Sequence, residues 1–413
     1  ASQRWPLQYP RLDAALGIGH RGGFYATTDI RRGFHAIPYA SGETRRAMAF
    51  EQWYRGRWAT FAPARTVMGH TASPAMFCAF TGETLAILQA RGIPATCFVD
   101  DFITSGRTAA ECRKHLDAML ATLKELGWPI SEDKTVAPTR TVPWLGFILD
   151  TVEGTVSLSE HRRAELRLLI EACLSSRHRC NRRRLESLLG TLTWACMAVP
   201  GAKAFVVAIG AMSRVPRPTV TLNRAAVEDL EWWRDVGLGI AGSRAWWTGD
   251  LIRYATFQTD ASGDDSLGYG AHTADEFVHG TWSADQAEWS VVHRELYAIY
   301  RGLAHWTGGL RGDGCPAPAA RPWRDRVVVV GTDSAVNVYR LNSGRAGRDG
   351  SPLIGLLREI FRVCARARVE LFAVHIPREF NVLADALSKS RTYTEAQEAF
   401  DAGRPAPSRA GRT

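Results

Sequence analysis

The sequence predicts a mixed α/β (α+β) chain built in three parts. Three observations predict it: short β-rich runs interleaved with amphipathic stretches over residues 24–150, a mainly helical, arginine-rich middle over residues 158–250, and a second strand-and-helix alternation from Ala255 onward. At 413 residues, 46% hydrophobic and 23% charged, the chain has material for two or three cores and reads as globular over most of its length.

In the first part the β-rich runs are Phe24–Ile30, Thr96–Ile103 and Pro143–Leu149. Between them Cys112, Leu116, Met119, Leu120 and Leu123 recur at helical spacing, and Gly127 supplies a stop. In the middle part the pattern predicts helices over Ser159–Ser175 and Arg184–Val199, the latter closed by Pro200-Gly201. The third part predicts a strand Ala255–Thr259, a hairpin over Gly268–Trp282, a helix from Val292 to Trp306, a Gly/Pro-rich loop from Gly308 to Pro322, and strands Val327–Val330 and Val369–Val374. Residues 396–413 are expected to form a flexible tail, rich in Pro and Arg.

Charge narrows the partner classes. The net charge is +9, and residues 158–250 carry 14 Arg+Lys against 9 Asp+Glu, so more than half of the excess sits in the helical middle. From Arg162 to Arg184 there are eight arginines and no lysine, and Arg177, Arg179, Arg182, Arg183 and Arg184 form the densest run. A guanidinium pairs with phosphate through a fixed fork, so this run reads as a track for a nucleic-acid backbone; a solvated helix face is the alternative. Trp232, Trp233, Trp246 and Trp247 could stack on bases, but paired tryptophans in a helical region read first as packing. The eight cysteines show no C-x-x-C pair and no zinc spacing, so they are expected reduced and mostly buried, in an intracellular setting whose compartment the sequence does not specify. No apolar run approaches the length of a membrane span, so no membrane partner is expected.

Four acids carry the chemistry of the third part. Asp260 ends a strand, Glu295 lies in a helix, Asp333 follows the strand Val327–Val330, and Asp385 sits in Asn381-Val-Leu-Ala-Asp-Ala-Leu. Carboxylates from four elements can share a site only if cations neutralise their repulsion, and paired Mg²⁺ (or Mn²⁺) ions would do so while activating a water. Their frames, Thr259-Asp260-Ala261-Ser262, Arg294-Glu295-Leu296, Thr332-Asp333-Ser334 and the stretch from His375 to Ser388, resemble the four blocks of retroelement ribonuclease H domains. The resemblance implies all four acids as metal ligands and His375 as a helper of product or proton departure; a structural histidine beside a strand remains the alternative.

In the first part, Phe98-Val99-Asp100-Asp101-Phe102-Ile103 sets two acids between apolar pairs, suited to a hairpin turn. With Asp29 at the end of an earlier strand, this resembles reverse transcriptases, implying Asp29, Asp100 and Asp101 as ligands of a second pair of divalent ions that activates a primer 3′-hydroxyl. By the same resemblance Phe34 falls where an aromatic excludes a 2′-hydroxyl, Met68 and Gly69 line the nucleotide and template site, Lys134 assists the pyrophosphate, and Trp144 and Gly146 belong to a block gripping the primer strand. Phe34 as a core aromatic and Lys134 as a solvated charge are the competing readings. The resemblance is nearest to retrotransposons that carry a tyrosine recombinase, through Gly190-Thr-Leu-Thr-Trp194, Val199-Pro-Gly201 and His375-Ile-Pro377.

The implied organisation is a reverse-transcriptase palm with partial fingers (1–157), a basic helical thumb/connection (158–250), a ribonuclease H-like α/β domain (251–395) and the tail. Only 28 residues precede Asp29, so the N-terminal fingers are expected to be missing, and a separate fingers-bearing chain is one source that could supply them. The implied partners are RNA, DNA, RNA–DNA hybrid and deoxynucleotide triphosphates. The alternative function is a domesticated retroelement fragment serving as a structural nucleic-acid-binding subunit of a ribonucleoprotein assembly.

Overall fold

The computed structural model describes residues 12–39, 41–70, 72–175, 178–199, 201–239, 243–245, 254–308, 322–324, 326–344 and 352–403. Arg177, Trp246, Trp247, most of the Gly/Pro-rich loop and residues 404–413 lie outside them. The chain divides into two compact units, the first running to Thr155 and the second beginning at Val156.

The first unit is built on a four-stranded antiparallel sheet. After helix α1 (Leu12–Ile18), strand β1 (Phe24–Ile30) occupies the middle, flanked by β5 (Asp101–Gly106) and β6 (Ile130–Thr139), with β4 (Ala95–Phe98) beyond β5. One face of the sheet is covered by α3 (Ser73–Ala90) and α4 (Ala109–Glu125). The helical spacing read from the sequence puts Cys112, Leu116, Met119 and Leu123 of α4 into a core with Ala26, Ile30, Phe77 and Phe102. Thr108 caps α4 by accepting from the Glu111 amide at 3.1 Å, and the chain turns away at Gly127 (φ 81°).

Outside this sheet, α2 (Gly42–Ala47) leads into a free-standing hairpin of β2 (Phe50–Tyr54) and β3 (Arg57–Phe61), with Phe50, Trp53, Tyr54 and Trp58 exposed. A second hairpin, β7 (Thr141–Trp144) and β8 (Phe147–Asp150), turns on Leu145-Gly146, both with positive φ (52° and 80°), as a tight two-residue turn requires.

The second unit begins within a short strand β9 (Thr155–Leu158), which leads to α5 (Glu160–Ser175), β10 (Arg179–Asn181), α6 (Arg182–Ala195), α7 (Val207–Ser213), β11 (Thr219–Thr221), α8 (Arg224–Trp232) and β12 (Ser243–Ala245). A mixed five-stranded sheet follows, in the order β15 (Phe277–Thr281), β14 (Gly268–His272), β13 (Tyr254–Ala261), β16 (Arg326–Thr332), β17 (Val369–His375). β13, β16 and β17 run parallel, while β14 and β15 form the antiparallel hairpin. After the single turn α9 (Ala284–Ala287), helices α10 (Val291–Thr307), α11 (Ala335–Ser343), α12 (Pro352–Ala367), α13 (Val382–Lys389) and α14 (Tyr393–Gly403) complete the unit.

Two findings differ from the sequence expectation. Residues 396–403, assigned to the tail, are helical, because Ala396 and Phe400 are buried against Leu387, with Phe400 ring-to-ring with Phe277 at 5.1 Å. The helical middle and the five-stranded sheet, assigned to separate domains, belong to one compact unit. One contact that joins them is an ion pair that sequence alone does not signal. Asp229 on α8 is fully buried, Arg358 on α12 is 6% exposed, and Oδ1 and Nη2 are 2.6 Å apart. Asp229 Oδ2 also accepts from the Ala208 amide, and Arg358 donates to the Ala225 carbonyl. Removing one partner leaves the other charge buried and unpaired, so Asp229→Ala is expected to cost about 3–5 kcal/mol in urea unfolding, while Asp229→Leu with Arg358→Met recovers most of it.

Trp232 and Trp233 are core residues and cannot stack on bases. Trp232 lies on Phe205 at 3.8 Å with planes 3° apart, and Trp233 donates its indole N–H to the Phe205 carbonyl at 3.1 Å.

Candidate active sites

The first site lies where β1 ends against the β4–β5 turn. Antiparallel register sets Asp29 opposite Asp101, and the Ile30 amide donates to the Asp100 carbonyl at 3.1 Å. Carboxylate oxygens of Asp29, Asp100 and Asp101 lie within 4.8 Å of one another. The turn that presents the pair is strained. Val99 has φ 58°, a region that β-branched side chains avoid at a cost of roughly 1–3 kcal/mol. Gly33 permits the close approach behind it, since a Cβ there would sit 2.6 Å from the Phe77 ring and 3.5 Å from the Asp100 Cβ.

Electrostatics follow from the crowding. Burial, then the charges of Asp100 and Asp29, push Asp101 up to about 6, and burial also raises Asp100. Lys134 opposes both shifts; its Nζ is 3.4 Å from Asp29 Oδ2, so this lysine belongs to the site. Ser131, which sequence reasoning passed over, donates its hydroxyl to Asp29 Oδ1 at 2.9 Å.

The other residues implied for this unit stand on separate elements. Phe34 stands on a 3-10 turn (Gly33–Ala36), half-buried against Phe77 at 5.1 Å. Met68 is 73% exposed, and Gly69 takes φ 90° just ahead of α3. Trp144 is 3% exposed, so its ring is committed to the core, while Gly146 forms the turn beside it. In the second unit, the exposed Arg179 lies on β10, and Arg182, Arg183 and Arg184 form the first turn of α6, which Asn181 caps through the amides of Arg183 and Arg184. Arg182 pairs with Glu186 at 3.5 Å.

The second site lies at the carboxyl ends of the adjacent parallel strands β13 and β16. Asp260 is on β13, Asp333 directly follows β16, and α10 brings Glu295 from its second turn. Their carboxylate oxygens lie within 4.8 Å of one another. Asp385, on α13, is not part of that group of three; it pairs with Lys389 at 2.6 Å and Arg378 at 3.6 Å, yet its charge still reaches Asp260. The docking of α13 depends on Gly270, whose missing side chain admits Leu387: a Cβ there would lie 2.3 Å from the Leu387 Cβ. Buried Asn381 holds the start of the helix by donating to the Thr259 carbonyl at 3.0 Å, and Ser388 donates to Asp260 Oδ2 at 2.6 Å. His375 is exposed at the end of β17, in register with Thr332.

Burial and the charges of Asp260 and Asp333 push Glu295 up to about 8, and burial raises Asp260. Asp333 Oδ1 is buried without a hydrogen-bond partner among the described residues. An all-oxygen donor set with an orphaned carboxylate oxygen and mutually repelling acids fits a hard divalent cation. A pH dependence follows. Between its ordinary 4.5 and about 8, Glu295 holds a proton in the folded chain that the unfolded chain has lost, so the metal-free fold loses stability as pH rises through that window. A cation binds the deprotonated form. The Mg²⁺-induced rise in Tm is therefore expected to grow from pH 6 to pH 9 in thermal scans against EDTA, and to lose most of its pH dependence in Glu295→Gln.

Residues 17–149 match the family described as Reverse transcriptase (RNA-dependent DNA polymerase). Over 214 residues the chain is 26% identical to the Gag-Pol polyprotein of Avian reticuloendotheliosis virus, covering 51% of this chain and 17% of the polyprotein. It is 28% identical over 205 residues to the Pro-Pol polyprotein of Feline foamy virus, covering 49% of this chain and 16% of that one. With the Transposon Tf2-3 polyprotein of Schizosaccharomyces pombe the identity is 22% over 321 residues, covering 73% of this chain and 22% of the polyprotein. The chain thus spans less than a quarter of the length of the polyproteins it matches. Among solved structures, the foamy viral protease-reverse transcriptase in complex with RNA/DNA hybrid superposes with a TM-score of 0.50 at 17% identity, over 90% of this chain and 46% of that one. The same protein in complex with dsDNA gives 0.50 at 17% identity, over 91% and 72%. At that identity the likeness establishes the fold, a mixed α/β reverse-transcriptase architecture.

Proposed function

We propose that the first unit extends DNA on an RNA template and that the second hydrolyses the RNA strand of the resulting hybrid, as parts of a retroelement reverse transcriptase. The observation that carries this reading is the pair of three-carboxylate clusters, each at a strand end, in which burial and neighbouring charge raise Asp100 and Asp101 in the first and Asp260 and Glu295 in the second. The family match over residues 17–149 supports the polymerase half, and relatives drawn from a retrovirus, a foamy virus and a transposon support a retroelement origin. We assign it to the group that carries a tyrosine recombinase on the motifs Gly190–Trp194 and His375–Pro377.

In the first unit Asp29, Asp100 and Asp101 would hold divalent ions, Mg²⁺ or Mn²⁺, two per site. In the second, Asp260, Glu295 and Asp333 would hold them, with Asp385 joining when Lys389 and Arg378 release it. Bound there, such ions lower the pKa of an attacking hydroxyl or water and stabilise the leaving oxygen. The chain's own residues do the rest. Ser131 and Ser388 fix one carboxylate in each cluster by hydrogen bonds, which sets the direction of its free lone pairs. Lys134, beside Asp29, offsets negative charge developing on a departing pyrophosphate. Phe34, projecting from the 3-10 turn just after Asp29, limits space beside a nucleotide sugar, while Met68 and Gly69 present backbone and an exposed side chain to the template. The Leu145-Gly146 turn receives the primer strand, Arg179 and Arg182–Arg184 track phosphates, and His375 assists departure of the cleaved strand.

The test is a pair of assays on the purified chain: Mg²⁺-dependent cleavage of the RNA in a labelled RNA–DNA hybrid, and extension of a DNA primer on an RNA template with deoxynucleotide triphosphates. Tight, salt-sensitive duplex binding with neither reaction, from folded protein, would replace this reading with a structural role.

A further inference from the structure

Apart from both carboxylate clusters, the second unit contains a cavity of about 870 Å³ between α6, α7 and α11. Its walls are faces of single helices: Leu189, Thr193 and Cys196 recur at i, i+4 and i+7 on α6, and Val207, Gly210 and Arg214 at i, i+3 and i+7 on α7. The walls are held at fixed spacing where the residue capping α11, Gly344 (φ 69°), abuts Lys203; a Cβ there would lie 2.4 Å from the Lys203 Cβ. Among the described residues three cations line the space, Lys203, Arg214 and Arg340, and no Asp or Glu does. No described carboxylate forms an ion pair with any of the three. Among the described residues the Arg340 guanidinium has only the Asn337 side-chain oxygen, at 3.4 Å, and burial works against its charge. Tyr339 stands at the rim, 61% exposed.

We propose that this cavity is a binding site for a nucleotide phosphate. The three cations take the phosphate, and the aliphatic wall of Leu189, Val206 and Val207 together with the Tyr339 ring takes the sugar and base. Three positive charges without an ion-pair partner among the described residues, converging on one concave, partly apolar space, favour an anion with an apolar body over a bare anion, and a nucleotide has that composition. An anion here also relieves the cost of holding Arg340 partly desolvated. The same phosphate chemistry is offered by a free nucleotide and by one residue of a bound strand.

The experiment uses the full chain in EDTA, so that the carboxylate clusters hold no metal. Adenosine 5′-monophosphate is titrated by calorimetry, with inorganic phosphate as competitor, and an RNA–DNA hybrid is titrated at several salt concentrations. Wild type is compared with the double variant Lys203→Gln, Arg214→Gln, both exposed positions whose replacement leaves the core intact, and with Tyr339→Ser. Binding of the monophosphate, competed by phosphate and weakened about tenfold or more in the double variant, identifies a free-nucleotide site. No monophosphate binding, but a salt slope for the hybrid that is shallower by about 0.9 per lost contact, identifies a strand phosphate as the source. If folded variants, judged by unchanged near-UV circular dichroism and Tm, match wild type in both titrations, the proposal is wrong. Neither arm reads cleavage or extension, so failure of the nuclease or polymerase reading leaves its outcome unaffected.

Discussion

Asp260→Asn is expected to lower hybrid cleavage on the order of 10³-fold while leaving primer extension near wild type. Asparagine keeps the volume and can still accept from Ser388, which lies 2.6 Å from Asp260 Oδ2, so the geometry of the cluster survives. What disappears is one carboxylate from a cluster of three, two of them buried. The same loss relieves repulsion: Asp260 is the neighbouring charge that raises Glu295 most, so the Glu295 pKa should fall below about 8. Metal-free Asp260→Asn should accordingly melt above wild type at pH 8, and Mg²⁺ should add less to its Tm. An inactive protein that is also more stable separates lost chemistry from misfolding. If the variant cleaves as well as wild type, Asp260 is not a ligand and the nuclease assignment fails.

Asp101→Asn is expected to produce the mirror pattern, with primer extension reduced by a similar factor and hybrid cleavage retained. Asp101 sits opposite Asp29 across the β1–β5 ladder and is pushed to about 6 by burial and the charges of Asp100 and Asp29. Extension by wild type should therefore rise as pH increases through 6, because only the deprotonated carboxylate serves a cation. In single-turnover assays the defect should appear in the rate of nucleotide addition more than in hybrid affinity, since phosphate contacts carry most of the latter. Equal loss of both reactions would mean that the variant has damaged the protein and not one site.

The acids were legible in the sequence because each sits in a local frame with its own signature. Asp29 and Asp260 end strands of alternating or apolar pattern, and Asp100-Asp101 punctuates two apolar pairs. The helices were legible for the same reason: α4 places Cys112, Leu116 and Met119 inward as their spacing requires. The roles of Ser131 and Ser388 were not, because each hydrogen-bonds an aspartate more than 100 residues away in sequence, a partner that the residues around the serine do not signal. The Asp229–Arg358 pair was invisible too. A charged residue on an amphipathic helix reads as solvated until a partner from another helix is seen to bury it.

The sequence by itself determined which acids are available, the order of strands and helices that carries them, and the concentration of arginine between the two α/β parts. Those properties are local, set by periodicity, capping and turn chemistry within a few residues. Tertiary structure alone decided that Asp260, Glu295 and Asp333 meet, that Trp144, Trp232 and Trp233 serve the core, that residues 396–403 form a packed helix, and that three helices line a cationic cavity. Each of these depends on which faces of distant elements are pressed together, and burial and electrostatic repulsion act through space, without regard to separation along the chain.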